Sequence, residues 1–465
     1  MSGRHGGWGE LLRGGNGPRA FVVGGGMAMH AINVFITITI LPSVVREIGG
    51  LEYFAWNTTL YVLASVLAGG FCGRILPRIG ARNHYRLALG LFAAGAVMCA
   101  LAPSMAVLLV GRLVQGLGAG TLSALSYTMV RALFPERLWP TAISVISASW
   151  GIATCGGPAL GGLLVEYGSW RMAFWSVAAV APVLWLVVER SLPRDLARPP
   201  RAAAPMAYAN LAILCASVLA ISVGSADASP TRNLEGLLVA AVGLAIFLLR
   251  ENGEGRRLLP RGACRLDTGL GATFAAMMMV VIAVNTEIFV PYLLQTLHGL
   301  APVNAGYLSA LMSMGWTAGS MMVSGAGPAS VPRWMRGGPV VMAAALVALF
   351  VLVPHAGAIP GRFVLIGLAL FAQGFGIGMC WPHVCAGVYR FAPEGEKDLA
   401  AASMTMVIMV SNAIGSALAG MTVNLAGLST GAAANAASWL FGVYVVAPLL
   451  AFVAITRILS LRRGG

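Results

Sequence analysis

The sequence predicts an all-helical protein that crosses a membrane many times, and three observations carry that prediction. Of its 465 residues, 58% are hydrophobic and only 10% are charged, whereas an ordinary soluble chain is about a quarter charged. The apolar residues lie in long runs, enough for roughly 13 or 14 spans of about 20 residues. Basic residues gather in alternate connections between those runs. A soluble enzyme, a secreted disulfide scaffold and a disordered chain are excluded on composition. The runs are also too uniformly apolar for the alternating strands of a membrane barrel.

Fourteen runs are separated by charged or Pro/Gly punctuation. The first six lie near 20–44, 55–73, 87–104, 106–130, 141–165 and 172–188. A Pro/Arg-rich stretch follows, then two weaker runs near 207–225 and 234–249. The last six lie near 269–296, 304–325, 338–354, 360–386, 399–425 and 438–456. The expected organisation is therefore a tail at 1–19, a six-helix half at 20–190 and a linker with two extra spans at 191–267. A second six-helix half at 268–456 and a tail at 457–465 complete it. Arg4, Arg13 and Arg19 precede a first run of some 25 residues. That run is too long for a signal-peptide core and reads as a retained span.

Charge fixes the orientation. With the N-terminus inside, 25 of the 30 Lys and Arg residues fall on the cytoplasmic side, four fall outside and Arg112 lies within a span. That is a strong positive-inside signal, and it places both basic termini in the cytoplasm. The net charge of +14 then faces anionic lipid headgroups and implies no nucleic-acid partner. Seven cysteines form no CxxC pair, so no metal site, disulfide framework or cofactor is expected.

The chain also echoes itself. Gln115-Gly116-Leu117-Gly118-Ala119-Gly120 returns as Gln373-Gly374-Phe375-Gly376-Ile377-Gly378, and Pro42 returns as Pro291. Two six-span halves with a two-span insert bring both pairs into register, and duplicated halves around a central site are a transporter signature.

Three short motifs stand out. Gly73, Arg78 and Gly80 punctuate a basic turn between spans two and three. Arg78 there is placed to reach helix ends or acids, although a generic positive-inside loop looks the same. Arg112, Gln115, Ala119, Ser123 and Ser126 share one face of span four. A buried arginine costs roughly 2.5–3.5 kcal/mol on insertion scales, so it either serves function, pairs structurally or snorkels to the interface. Gly157, Pro158, Gly161 and Gly162 in span five suit close helix contact or a bend acting as pivot or seal. Trp170-Arg171 at the start of span six reads as an interfacial aromatic belt.

Few polar groups lie inside the runs. Glu287 is the one acid inside a clear run, four residues before Pro291. Burying an acid is costly, which marks Glu287 as a proton-coupling candidate, with an arginine pair at the outer mouth as the alternative. His30, Asn33 and Thr37 share a face of span one, and Gln373, Gly376, Cys380 and His383 share a face of span twelve. His30 and His383 join Glu287, Asn33, Arg112 and Gln115 as candidates for coupling or for lining a substrate cavity. A lone membrane histidine is also read as a packed, satisfied residue.

With these residues in hand, the chain resembles the major facilitator superfamily, and within it the 14-span drug:proton antiporter branch. Trp56, Tyr61, Gly73, Arg78 and Gly80 match its second span and basic loop. Gly111, Arg112, Gln115 and Gly116 match its span-four arginine motif. Gly157, Pro158, Gly161 and Gly162 match the end of its antiporter motif, and the Trp170-to-Trp175 segment matches its span six. Three departures stand against the branch pattern: Asn33 where it usually has aspartate, Pro77 where its loop carries aspartate, and Ala153-Thr154 in place of a Gly-Pro pair.

The resemblance implies a major facilitator fold in the bacterial inner membrane, with two rocking six-helix halves and no enzyme activity. It implies proton-coupled export of a small amphipathic or drug-like substrate by alternating access; an accessory export partner is left open. A narrower metabolite exporter, or a carrier not driven by protons, is the alternative. A membrane-embedded enzyme or sensor is disfavoured, because the sequence holds no clustered reactive set and no sizeable soluble domain.

Overall fold

The computed structural model describes residues 8–135, 138–193, 207–225, 229–253, 257–324, 329–355 and 360–461. All regular structure among these residues is helical. The chain divides into two units: Met1–Gly50 with Leu60–Ala204, and Leu51–Thr59 with Pro205–Gly465.

The first unit contains α1 (Trp8–Leu12), α2 (Asn16–Ile48), most of α3 (Trp56–Ala100), α4 (Met105–Leu133), α5 (Trp139–Glu166) and α6 (Trp170–Ser191). The basic turn expected after Gly73 is shorter than its sequence suggests. Helix runs up to and away from a single residue, Gly80, with φ 76° and ψ 163°. Only glycine adopts that backbone without strain, so one residue makes the bend and divides α3 into arms 56–79 and 81–100. The glycine string of α4 wedges between those arms. A methyl on Gly116 or Gly120 would lie 2.4 Å from the Tyr61 carbonyl oxygen or 2.1 Å from that of Ser65, on the first arm. One on Gly118 would lie 2.4 Å from the Phe92 nitrogen, on the second. Contacts advance along the first arm and recede along the second as α4 advances, so the two arms run antiparallel.

The second unit contains α7 (Tyr208–Ser225), α8 (Pro230–Asn252), α9 (Gly269–Val284), α10 (Val290–His298), α11 (Pro302–Ser324), α12 (Val331–Leu352), α13 (Arg362–Phe391), α14 (Lys397–Leu425), α15 (Ala433–Tyr444) and α16 (Val446–Leu461). Its glycine string repeats the wedge of the first unit. A methyl on Gly374 or Gly378 would lie 1.7 Å from the Met312 or 2.3 Å from the Trp316 carbonyl oxygen, both on α11. One on Gly376 would lie 2.5 Å from the Gly338 carbonyl oxygen on α12. The sequence echo is thus a repeated packing device, with alternate glycines serving opposite neighbours.

The two inserted helices, α7 and α8, group with the second unit. They cross closely where Gly224 faces Gly236. Trp56 Nε1 donates to the Ser222 carbonyl at 2.9 Å and Asn424 Nδ2 to the Ser225 carbonyl at 2.7 Å. The other face of α8 exposes Leu238, Val239, Val242 and Leu249, an apolar surface suited to lipid. Twelve helical segments among the described residues are long and apolar enough to cross a membrane, against the fourteen expected. The second arm of α3 and α11 are helical but do not belong to those twelve.

Candidate functional site

In the first unit the predicted residues of spans one and four meet. Asn33 on α2 and Gln115 on α4 are both fully buried, and Gln115 Nε2 donates to Asn33 Oδ1 at 3.0 Å. Arg112 Nη1 donates to Gln115 Oε1 at 2.6 Å, so the glutamine links guanidinium to asparagine. The Arg112 guanidinium also lies over the Tyr61 ring, 4.0 Å from its centroid, a cation–π contact that eases burial of charge. Arg112 is 2% exposed; it is a packed member of the unit and not a snorkelling anchor. His30 Nδ1 lies 2.9 Å from the Tyr61 hydroxyl. Its ring stacks on Tyr61 and meets Trp150 edge-on. The rest of the α4 face serves packing: Ser126 Oγ donates to the Val23 carbonyl at 2.8 Å. Thr37 turns back on its own helix, donating to the Asn33 carbonyl at 2.7 Å.

Tyr61 is the residue that sequence reasoning undervalued. It enters the motif as a family match, yet it touches both His30 and Arg112. An aromatic inside an apolar run gives no sign of that role.

In the second unit Glu287 sits on a 3-10 turn, Asn285–Ile288, between α9 and α10. Among the described residues no hydrogen bond or ion pair reaches its carboxyl, so the alternative of an arginine at an outer mouth finds no support there. Around it, Gln373 Nε2 donates to the Ala283 carbonyl at 2.9 Å and to Thr286 Oγ1 at 3.1 Å. Asn285 Nδ2 donates to Asn412 Oδ1 at 3.3 Å. The proposed shared face of span twelve divides. Gln373 serves α9, Gly376 and Cys380 pack on α12, and half-buried His383 lies about 15 Å further along α13 at 1.5 Å per residue.

Arg78 is exposed, and Arg82 reaches the helix end instead. It donates to the Glu189 and Leu192 carbonyls at the end of α6, while Arg86 pairs in a fork with the Glu189 carboxylate. Gly157 and Gly161 let α5 close on Phe35, Ile36 and Ile40 of α2, with Pro158 buried between them. Gly73, at the head of the basic turn, lies mid-helix, and Gly162 is buried. Trp170 is buried and donates to the Glu47 carboxylate at 2.6 Å, and Arg171 pairs with the same group. Trp170 and Arg171 therefore form a polar clasp between α2 and α6, while Trp175 further along the segment is exposed, as a belt residue is.

An acid outside the apolar runs is buried more deeply than Glu287. Glu251, at the end of α8, is 4% exposed. It accepts from Asn210 Nδ2 at 2.6 Å and from the Leu258 and Leu259 backbone nitrogens at 2.9 Å each. Ser403 on α14 donates to the Leu258 carbonyl at 3.1 Å. Beside this strap, burial and then the Glu251 charge push the Cys264 thiol up to about 11.

The two units follow one repeated helix plan, and each carries a polar cluster on the first helix of its repeat, at Asn33 and at Asn285–Glu287. The sequence model of the Major Facilitator Superfamily matches residues 23–416. The chain belongs to the Major Facilitator Superfamily. As a member it is a secondary transporter, and its helices form a multi-pass membrane protein. This superfamily chain is 34% identical over 455 residues to a Mycobacterium tuberculosis protein named "Probable multidrug-efflux transporter", covering 96% of each. It is 27% identical over 350 residues to the tetracenomycin C resistance and export protein of Streptomyces glaucescens, covering 72% of this chain and 63% of that one. Its fold matches the crystal structure of a D-xylose-proton symporter with a TM-score of 0.65 at 15% identity, covering 94% of this chain and 96% of the other. A POT family transporter in complex with 5-aminolevulinic acid gives a TM-score of 0.67 at 15% identity, covering 95% and 96%. At such low identity these two structures speak to the fold alone.

Proposed function

We propose that this transporter exports small amphipathic, drug-like compounds from the bacterial cytoplasm in exchange for protons, by alternating access. The observation that carries the reading is Glu287: an acid inside a membrane span, on a broken helix, with no partner reaching its carboxyl among the described residues. A carboxyl so placed can take up a proton on one side and give it up on the other. His30, held by Tyr61, is the second proton-carrying candidate. The export assignment draws on the relatives named for multidrug efflux and for antibiotic export. Asn33, Gln115 and Arg112 supply amide groups and a fixed positive charge. The first unit therefore offers hydrogen bonds to a substrate but no Coulomb attraction for a cation, which favours neutral and zwitterionic compounds over strict cations. Changing Asn33→Asp is expected to raise the preference for cations; an unchanged preference removes position 33 from the site.

The topology under this reading has fourteen spans with both termini in the cytoplasm. The twelve apolar segments are joined by the second arm of α3 and by α11, which has 23 residues, enough for about 30 Å of hydrocarbon. Reporter fusions at Gly465 and after Gly253 are expected to read cytoplasmic; a periplasmic signal at either contradicts this topology. The function is tested in proteoliposomes with an imposed pH gradient, across cationic, neutral and anionic compounds. Gradient-driven movement of neutral or zwitterionic compounds supports the reading. A carrier without proton coupling is the second reading, favoured by Asn33 and Pro77, and it predicts transport indifferent to the gradient.

A further inference from the structure

Within the second unit, the first helix of the six-helix repeat does not run through. α9 ends at Val284, a 3-10 turn covers Asn285–Ile288, and α10 resumes at Val290. The Asn285 backbone nitrogen bonds to the Ile282 carbonyl, three residues back. Such a change of ladder disturbs the carbonyls of the preceding turn, and inside a membrane each needs a donor. Side-chain amides supply them. Asn285 Nδ2 donates to the Val281 carbonyl at 2.9 Å. Gln373 Nε2, from α13, donates to the Ala283 carbonyl at 2.9 Å, the acceptor that the Glu287 backbone nitrogen would use in a continuous α-helix.

A main-chain carbonyl only accepts, so the orientation of the Gln373 amide is fixed. Its Oε1 is left buried without a hydrogen-bond partner among the described residues. An acceptor in that state calls for a donor. A protonated carboxyl can give one; a carboxylate has no hydrogen to give.

We propose that Gln373 is a positioning residue for proton coupling at Glu287, acting as a clamp that holds the 285–288 turn out of the α-helix. The inference rests on the coupling role proposed above for Glu287. While Gln373 holds the Ala283 carbonyl, the turn stays 3-10. When it lets go, the Glu287 nitrogen takes that carbonyl and the turn rewinds. Rewinding turns successive side chains by about 20° each and shortens the rise by about 0.5 Å per residue, which moves Glu287 to new surroundings. Protonated Glu287 favours the rewound form by donating its O–H to the open Gln373 Oε1. Loss of that proton to water leaves a carboxylate, which cannot make this bond, and returns the clamp to Ala283. Among the described residues, few other titratable groups stand near this turn on the elements packed against it. α15 brings Tyr444, whose hydroxyl is engaged with the Gly415 carbonyl. α10 brings Tyr292 and, at its end, His298. α13 brings Cys380 two turns on, and α14 brings Ser411 and Asn412 to this level, neither of which titrates.

The test uses the full-length protein in proteoliposomes and reads the ratio of gradient-driven efflux to substrate exchange, together with its pH profile. Gln373→Met keeps length and apolar packing but removes both amide functions. That ratio is expected to fall at least tenfold and its pH dependence to flatten. Gln373→Asn keeps the amide but retracts it from Ala283, and the same loss is expected, which separates clamping from mere polarity. A wild-type ratio and pH profile in either variant overturns the proposal. So does failure of both variants to insert, because Gln373 is then a folding residue. Glu287→Gln separates the two layers. If it leaves gradient-driven efflux intact, the coupling role itself fails. If it abolishes coupling while the Gln373 variants do not, only the clamp fails.

Discussion

The first helix of each six-helix repeat, α2 in the first unit and α9 with α10 in the second, carries a proline in register, Pro42 and Pro291, yet the two behave differently. α2 runs unbroken from Asn16 to Ile48 through Pro42, braced where Gly157 and Gly161 of α5 close on Phe35, Ile36 and Ile40. The matching helix of the second unit breaks before Pro291, and side-chain amides from the 285–288 turn and α13 occupy the disturbed carbonyls. The chemistry divides along the same line. The first unit carries Arg112, a charge that does not titrate in a protein; the second carries Glu287, a group that does. A proline alone does not decide whether a membrane helix breaks; the neighbours that satisfy or leave its freed carbonyls do.

The largest effect tests what the units share. If the glycine strings are equivalent wedges, Gly120→Ala and Gly374→Ala each drive a methyl into backbone and cost about 3 kcal/mol or more. Both are expected to abolish the monodisperse peak in size-exclusion chromatography of the solubilised protein. Gly156→Ala, exposed and with nothing near, is expected to be neutral or stabilising by up to about 1 kcal/mol. Tolerance of one wedge variant but not the other breaks the equivalence.

Next comes the difference in charge. One repeat after Arg112 stands Leu370, also buried. Arg112→Leu makes the first unit resemble the second at this position, and transport is expected to fall by at least about 100-fold, the loss of a buried charged hydrogen bond worth about 3 kcal/mol. Arg112→Lys keeps charge but loses the planar fork that reaches Gln115 and stacks on Tyr61, so an intermediate loss is expected with insertion intact. Normal transport in Arg112→Leu removes the arginine from the cycle.

A smaller effect sharpens where the inserted helices belong. Glu251→Gln replaces a carboxylate that receives two backbone N–H groups with a neutral amide, a loss of about 1–3 kcal/mol. A fall of a few degrees in thermal midpoint is expected, and no change detaches the Glu251 strap from the stability of the second unit. The smallest effect is chemical. A thiol pushed up to about 11 holds little thiolate at neutral pH, and the thiolate is the nucleophile. Cys264 is expected to alkylate about 100-fold more slowly than an ordinary thiol at pH 7, and to gain rate tenfold per pH unit up to that value.

Much of this was legible in the sequence for a physical reason. Helices that pack at backbone contact must carry glycine at fixed spacing, so the strings at 115–120 and 373–378 declare the repeat, while the opposite neighbours that alternate glycines serve show only in the fold. Polar side chains are rare in apolar runs, so Asn33, Gln115, Arg112 and Glu287 stand out. What stayed hidden depends on partners far along the chain. Arg82, not Arg78, meets α6 because the chain bends at Gly80 alone. Tyr61 reads only as a motif match and Trp170 as an interfacial aromatic until their polar atoms find His30 and Glu47. Glu251 lies just past an apolar run and reads as solvated until Leu258 and Leu259 fold back on it. The helix break has no local signature beyond Pro291, because Gln373, 82 residues later than that proline, helps to hold it.

The central claim is that the titratable half of the machine is Glu287 and the fixed half is not. The measurement that tests it most directly is substrate efflux from proteoliposomes bearing Glu287→Gln, with and without an imposed pH gradient, beside His30→Gln. The account predicts that Glu287→Gln abolishes the response to the gradient while downhill substrate exchange persists, because the glutamine mimics the protonated carboxyl. Gradient-driven efflux at the wild-type rate in Glu287→Gln, with its loss in His30→Gln, would contradict the account and move proton coupling to the first unit.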